Sequence, residues 1–311
     1  MAPVARRPGL IFFVHWILAS LISAIFLGVY ELCSKHAVRE NAVLPVLFFS
    51  TLTGAAVWTF LLVVDFIVPG ALPSSFVTQS LTAHQHLQLA LKSAIVTGSW
   101  IFTYFALKQL PLSIASPIRA TGPLFTLFGA ILILAERPSI LEMIGILTTL
   151  ASFAGLSIVG RREGVHFHRN KWVGFILGGT LLGAISALYD KYLLGKGGFT
   201  VPTVQAWFSI YLLVFFVPFM IGWQRRWWDR KQFHWRWSIP AIALALLVAD
   251  YIYFGALRNP DSLVSVVMSL RRGSTLVAFA GSVWLFRESN GRQKLPAVIG
   301  ILVGIALTIF G

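Results

Sequence analysis

The chain has 311 residues, of which 57% are hydrophobic and only 12% are charged, and its formal net charge is +14 at pH 7. Soluble globular domains carry about 45–50% apolar and about 25% charged residues. The composition therefore excludes a soluble domain and indicates an all-α protein that crosses a membrane several times. Because the basic residues lie in short loops where lipid headgroups bind cations, the charge does not indicate a nucleic-acid partner.

Ten apolar segments are long enough to cross about 30 Å of hydrocarbon, so we predict ten transmembrane helices with five in each half of the chain. In chain order they are residues 10–31, 44–66, 89–108, 112–134, 139–159, 172–194, 201–222, 239–257, 262–286 and 295–311. The first segment continues to Glu31 and Lys35 without a cleavage site of small residues. We therefore expect a permanent helix at this end and not a signal peptide.

The second half of the chain loosely repeats the first. Residues 106–136 correspond to residues 256–288, since each stretch begins with Ala-Leu and a cation and closes with a glutamate. Lys35 of helix 1 likewise aligns with Lys191 of helix 6. Because five is an odd number, the second half enters the membrane from the opposite side. The sequence thus predicts two inverted five-helix repeats, residues 1–160 and 161–311, the architecture of alternating-access carriers.

These paired motifs resemble the drug/metabolite transporter superfamily in its ten-helix EamA-type branch. The resemblance covers nearly the whole chain and is strengthened by the segment Ser269-Leu-Arg-Arg-Gly-Ser274. It implies a basket of ten helices whose central cavity is lined mainly by helices 1, 3, 4, 6, 8 and 9. Helices 5 and 10 are then expected at the periphery. The motifs are short and mostly apolar, so they identify the fold better than the transported molecule.

The loop charges predict the orientation of the chain in a plasma (inner) membrane. Most loop lysines and arginines lie on the side opposite the termini, above all in the tryptophan-rich loop at residues 223–237, which we interpret as a lipid-binding interfacial segment. Lys92 and Lys191 are assigned to loops on the terminal side. The positive-inside rule then places both termini outside the cytoplasm. The family resemblance implies the reverse, since these transporters generally have both termini in the cytoplasm.

Three arginines within predicted spans are candidates for substrate binding. Arg119 lies in helix 4 and Arg271 and Arg272 lie in helix 9, and Arg119 and Arg271 occupy matching places in the two copies. A mid-membrane arginine costs at least about 2.5 kcal/mol, so it indicates a cavity, a partner or water. The guanidinium fork suits a carboxylate or phosphate ligand. The alternative is that these groups only neutralise Asp250 or other acids.

Asp250, near the centre of helix 8, is the candidate for proton coupling. It could equally be a fixed counter-ion for Arg271 or Arg272.

Two further charged pairs are candidates for gating. Glu31 precedes Lys35 by four residues, the favourable order for a helical ion pair, and a simple pair at the helix mouth is an equal alternative. Asp190 and Lys191 of helix 6 are the mirrored element, so one pair could close while the other opens.

Aromatic side chains offer a further binding surface. Trp100 and Tyr104 share one face of helix 3, which the resemblance places at the cavity, and Tyr251 is next to Asp250. In a chain with 14% aromatic residues, packing is the favoured interpretation for each of them alone.

Motifs for catalysis or cofactors are missing from the sequence. The pairs His84/His86 and His166/His168 have no neighbouring ligands to complete a metal site, and no phosphate-binding glycine loop, nucleophile elbow or zinc-protease helix occurs. We therefore predict no enzyme, no metal and no cofactor.

The predicted function is a secondary active transporter of a small organic metabolite with an anionic group, working by alternating access among membrane lipids. The alternative is a flippase for a phosphate-bearing lipid intermediate. An integral-membrane enzyme is less favoured because it would need a catalytic cluster near one membrane face. The sequence indicates neither the oligomeric state nor the direction of transport.

Overall fold

The computed structural model describes residues 10–109, 118–119, 121–158, 170–227, 231–274, 276–277 and 291–310. Its regular secondary structure in these ranges is entirely helical, and each of the ten predicted segments corresponds to one helix. They are α1 Leu10–Val38, α2 Val43–Ile67, α3 Ala83–Gln109, α4 Gly122–Ile133, α5 Ile140–Ile158, α6 Lys171–Leu194, α7 Val201–Gln224, α8 Ser238–Arg258, α9 Val264–Arg271 and α10 Gly291–Phe310. The predicted all-α, polytopic membrane fold is confirmed.

Helices α1, α2, α3, α6, α7 and α8 are each long and apolar enough to cross a membrane. In α4, α5 and α10 the described apolar stretches are shorter. The predicted spans of helices 4 and 9 also include residues 112–117 and 278–286, which lie outside the described residues.

Local capping motifs set where several helices begin. The Thr82 N–H donates to Gln85 Oε1 at 2.9 Å, which starts α3 at Ala83. In the same way the Glu142 N–H donates to Ser139 Oγ at 3.0 Å before α5, and the Trp172 N–H donates to Asn170 Oδ1 at 3.0 Å before α6. These side chains satisfy N–H groups that have no partner within the helix.

Two lysines that the sequence analysis assigned to loops lie inside helices. Lys92 lies inside α3 with 2% of its surface exposed, and Lys191 lies inside α6, so neither is a loop cation. Both had been counted on the side of the termini. Removing them leaves the charge asymmetry between loops in the same direction, and the orientation of the termini stays a prediction.

The contacts between helices repeat when the two halves are exchanged. When α1–α5 are exchanged with α6–α10, the contact of α1 with α8 becomes the contact of α6 with α3, and both contacts are present. In the same way, the contact of α3 with α7 becomes the contact of α8 with α2. Helices α2, α4 and α5 each pack on their own counterparts, α7, α9 and α10. A two-fold axis between the halves would give this pattern, and the repeats 1–160 and 161–311 stay a prediction. The boundary itself lies outside the described residues and stays a prediction.

The glutamate that closes the first copy of the repeat caps a helix of the other half. Glu136 Oε1 accepts the Val264 N–H at 2.6 Å, and Glu136 Oε2 accepts the Ser265 hydroxyl at 2.9 Å. A carboxylate is favourable there because the N-terminus of a helix carries partial positive charge. Its counterpart Glu288 lies outside the described residues.

The backbones of helices α5 and α10 lie in direct contact. A Cβ atom on Gly145 would lie 2.6 Å from the Thr308 nitrogen, and one on Gly304 would lie 2.7 Å from the Thr149 nitrogen. The threonine hydroxyls donate to the carbonyls of Gly145 and Gly304, four residues earlier in their own helices, at 2.9 and 2.8 Å. Gly145 thus faces Thr308 and Gly304 faces Thr149, so the helices are antiparallel and held by small-residue packing.

Adding one methyl group at this contact should destabilise the protein. We expect Gly145→Ala and Gly304→Ala to lower the thermal midpoint in detergent, because overpacking a tight contact costs about 1–3 kcal/mol. Gly174→Ala and Gly255→Ala are matched controls, since a Cβ atom at either position meets nothing within 4 Å. Helix propensity favours alanine over glycine by about 0.5–1 kcal/mol, so the controls should unfold at or above the wild-type temperature. Equal midpoints for all four variants would contradict the close approach.

Candidate functional site

A cavity of about 110 Å³ lies between helices of the two halves. It is lined by α1, α2 and α3 of the first half and by α7 and α8 of the second. Most of its wall is aliphatic or aromatic. The polar side chains on the wall include Tyr30, Ser50, Thr51, Gln205 and Asp250. Asp250 is the one charged residue among the described lining residues.

The lining differs from what the family resemblance implied. Helices α2 and α7 form part of this wall, whereas no described residue of α4, α6 or α9 lines it. The physical reason is that the space between α3, α6, α8 and α9 is filled by charged and aromatic side chains that pair with one another. Most of those side chains lie on the far side of the cavity wall, and they hold in place the part of the wall that contains Asp250.

Arg271 and Asp250 form the ion pair at the edge of the cavity. Arg271 Nη2 donates to Asp250 Oδ1 at 2.8 Å, and the guanidinium carbon lies 3.9 Å from the centre of the Tyr253 ring. Only 9% of the Arg271 surface is exposed. Of the two interpretations offered by the sequence, the structure shows the counter-ion arrangement for this pair.

A second ion pair, between Lys92 and Asp190, is fully enclosed in the bundle. Lys92 Nζ contacts Asp190 Oδ1 and lies 4.4 Å from the ring centre of Phe208 and 5.1 Å from that of Phe254. The Tyr253 hydroxyl donates to Asp190 Oδ2 at 3.4 Å. Sequence reasoning missed Lys92 because it counted this lysine with the loop cations, although the predicted helix 3 (residues 89–108) contains it. The Thr-x-x-Gln capping box at Thr82 was a further signal, because it places the start of the helix well before Lys92.

The two ion pairs share Tyr253 and make one continuous network across four helices. Positive and negative groups alternate along it, so the network is neutral as a whole. Its members, from α8 through α9 and α6 to α3, are Asp250, Arg271, Tyr253, Asp190 and Lys92. A buried charge is tolerated when it is paired in this way, and removing one partner leaves an uncompensated charge.

Asp190 and Lys191, predicted as a mirrored pair, contact different partners. Lys191 Nζ lies 3.1, 2.9 and 2.6 Å from the carbonyl oxygens of Leu257, Asn259 and Ser262 and 2.8 Å from the Ser262 hydroxyl oxygen, and its three protons are shared among these four acceptors. These carbonyls lie at and just beyond the C-terminus of α8, where a cation is favourable. The two residues therefore do not form an ion pair with each other, which corrects the expected arrangement.

Glu31 faces the remaining arginines. Its Oε1 accepts the Ser274 hydroxyl at 3.2 Å, and Arg119, Arg272 and Arg271 lie within electrostatic reach of its carboxylate. Arg272 is packed on α4, since its Nη2 lies 2.9 Å from where a Cβ atom on Gly122 would be. Arg119, just before α4, has an exposed side chain.

The predicted aromatic residues have different locations. Trp100 lines the cavity, and its ring centre lies 5.9 Å from that of Phe216. Tyr104 is not a lining residue, and its ring packs on Phe105 at 5.5 Å. Tyr251 is directed away from the cavity, because its hydroxyl donates to the Ser75 carbonyl and its ring stacks on Phe76.

Some predicted elements lie outside the described residues. These are the Lys35 side chain, and with it the Glu31/Lys35 pair, together with His166 and His168. Of the other histidine pair, His86 Nδ1 lies 2.8 Å from the Tyr211 hydroxyl.

Breaking the Lys92–Asp190 pair from one side should destabilise the protein strongly. We expect Lys92→Met or Asp190→Asn alone to lose about 3–5 kcal/mol, because each leaves part of a buried pair uncompensated. The double variant should lose less unfolding free energy than the sum of the losses of the two single variants. Thermal or denaturant unfolding of all the variants in one detergent measures these losses. Lys171→Met, at an exposed position, is the control. Strictly additive effects would contradict the pairing.

The chain was compared with known proteins. The model of the EamA-like transporter family matches residues 14–158. A solved structure titled "Crystal structure of protein" superposes with a TM-score of 0.71 at 14% identity, covering 94% of this chain and 96% of that one, and at this identity the likeness shows the fold alone. No curated protein matches the chain. The match agrees with the resemblance inferred from the sequence: residues 14–158 are similar to the EamA-like transporter family, and the family implies a membrane transporter of small molecules.

Proposed function

We propose that this protein is a secondary active transporter that moves a small organic metabolite by alternating access. The observation that carries the proposal is the cavity between the halves, with a buried charge network along one wall that takes Lys92 from the first half and its other members from the second. A site placed between two repeats can open to either side when the halves rock against each other.

Polar contacts across the halves are suited to hold one conformation. Lys92 of α3 pairs with Asp190 of α6, and Glu31 of α1 accepts a hydrogen bond from Ser274, three residues beyond α9. Rocking of the halves would break or rearrange these contacts. Because a single hydrogen bond contributes only about 0.5–1.5 kcal/mol net, the Glu31–Ser274 contact can be exchanged during a transport cycle. In this scheme Glu31 acts as a gating residue.

The arginine cluster supports an anionic group on the metabolite. Among the described residues, Arg119, Arg271 and Arg272 lie near two carboxylates, Glu31 and Asp250, which leaves one positive charge in excess. Arg271 is already paired with Asp250. A carboxylate or phosphate on the substrate would therefore bind chiefly to Arg119 and Arg272, whose guanidinium groups offer paired N–H donors.

Asp250 is suited to couple transport to protons. It contributes to the cavity wall and pairs with Arg271, so protonation of its carboxylate would weaken the pair and release the guanidinium. A substrate anion and a proton can then enter the site together, which would make uptake or efflux depend on a pH gradient.

Removing either Arg119 or Arg272 should weaken anion binding. A panel of small carboxylates and phosphate esters is tested for thermal stabilisation of the purified protein, since ligands of the native state raise its midpoint. We expect Arg119→Gln and Arg272→Gln to weaken the best anion about tenfold or more, the loss typical of a charge-assisted hydrogen bond. Arg225→Gln, at an exposed position after α7, should bind like the wild type. Stabilisation by cations alone would contradict the anionic substrate.

Asp250→Asn should uncouple transport from the pH gradient. The amide keeps the size of the side chain but cannot exchange a proton, so flux into proteoliposomes should no longer respond to an imposed gradient. Asp261→Asn, in the exposed turn after α8, is the matched control and should respond like the wild type. If Asp250→Asn transports with unchanged dependence on the gradient, this residue does not couple protons.

A further inference from the structure

Gln205 of α7 leaves an unused hydrogen-bond acceptor at the cavity. The residue lines the cavity, and only 2% of its surface is exposed. Its Nε2 donates to the Leu247 carbonyl at 2.6 Å. Because a carbonyl only accepts, this bond fixes which way the amide is turned. Gln205 Oε1 is then buried with no hydrogen-bond partner in the structure, and such an atom calls for an explanation.

The hydroxyl groups on the wall also present acceptors. Ser50 donates to the Leu47 carbonyl at 2.9 Å, Thr51 donates to the Phe48 carbonyl at 2.9 Å, and Ser209 donates to the backbone carbonyl of Gln205 at 2.8 Å. Each hydroxyl has a single proton, and that proton is used within its own helix. Their oxygen lone pairs are what remains for a molecule in the cavity.

The charged and aromatic parts of the wall favour a cation as well. Asp250 lines the cavity and keeps acceptor capacity beside its bond to Arg271, because a carboxylate accepts about four hydrogen bonds. No lysine or arginine is among the described lining residues. The ring of Trp100 on the wall can attract a cation by its electron-rich face, whereas the Phe208 ring already lies against Lys92. The wall also carries two donors, the Tyr30 hydroxyl and the Trp100 indole N–H. Acceptors are therefore the more numerous polar groups on the wall, but they are not its only polar groups.

From these observations we propose that the cavity binds an ammonium group carried by a small apolar or aromatic body, with Gln205 Oε1 as its principal neutral acceptor and Asp250 as its charged one. The inference deepens the proposed function. It rests on that function in one respect, because it takes this cavity to be the transport site. It is compatible with an anionic group on the same molecule, since Arg119 and Arg272 do not line this cavity and would bind the other end.

The test compares three compounds of similar shape on the purified wild-type protein by calorimetric titration. They are phenethylamine, which is cationic, 2-phenylethanol, which is neutral, and phenylacetate, which is anionic. We expect phenethylamine to bind at least about tenfold more tightly than the other two, as a hydrogen bond to a charged group requires.

Two glutamine variants on the same helix test the role of Gln205. Gln205→Met keeps the volume but removes the acceptor, and it should weaken phenethylamine about tenfold or more while changing 2-phenylethanol little. Gln224→Met, at the exposed end of α7, should leave both affinities unchanged. If Gln205→Met does not fold, the comparison of the three compounds on the wild type decides the matter.

The proposal is overturned if phenethylamine fails to bind, if 2-phenylethanol binds equally well, if phenylacetate binds equally well to the Arg272→Gln variant, or if a folded Gln205→Met variant retains full affinity for the amine. Failure of this site and failure of the transporter proposal can be told apart in proteoliposomes. Amine binding without flux of any substrate would count against transport and not against the ammonium site. Anion flux without amine binding would count against the ammonium site alone.

Discussion

The pairing of buried charges determines how the centre of this bundle can be arranged. Lys92, Asp190, Arg271 and Asp250 lie among apolar helices, where an isolated charge would be costly, and each is compensated by an opposite charge. Tyr253 connects the two pairs through its hydroxyl and its ring. Because the four charges come from α3, α6, α8 and α9, their pairing fixes how these helices pack, and it leaves the cavity to α1, α2, α3, α7 and α8.

Around this centre, two other interactions hold helix ends. Lys191 binds carbonyls at the C-terminus of α8, and Glu136 binds N–H groups at the N-terminus of α9. Both satisfy backbone groups that hydrocarbon cannot satisfy, and both match the sign of the helix dipole. Residues 259–263, which join α8 to α9, thus lie between a cation and a carboxylate. The short connection between these helices is fixed by electrostatics at both ends, which positions Arg271 against Asp250.

The transport proposal depends on how polar groups divide between the cavity and the network. The network is electrically neutral and lies mostly behind the cavity, where only Asp250 of its described members reaches the wall, whereas the wall itself offers acceptors and aromatic faces. The arginines near Glu31 contribute the excess positive charge. A small molecule with separate charged ends would match this division. Rocking of two similar halves about the cavity would then change access, and it would rearrange the Lys92–Asp190 pair because this pair joins the two halves.

The sequence by itself determined the ten helices, because apolar segments of membrane length and local capping residues such as Ser139 and Asn170 act over short distances. It also identified Arg271 and Asp250, since charges within apolar segments are conspicuous. Only the tertiary structure decided which charges pair, that Lys92 is buried, and that Gln205 rather than Tyr251 faces the cavity. Such choices depend on contacts between helices distant in sequence, and the order of residues along one helix does not contain them.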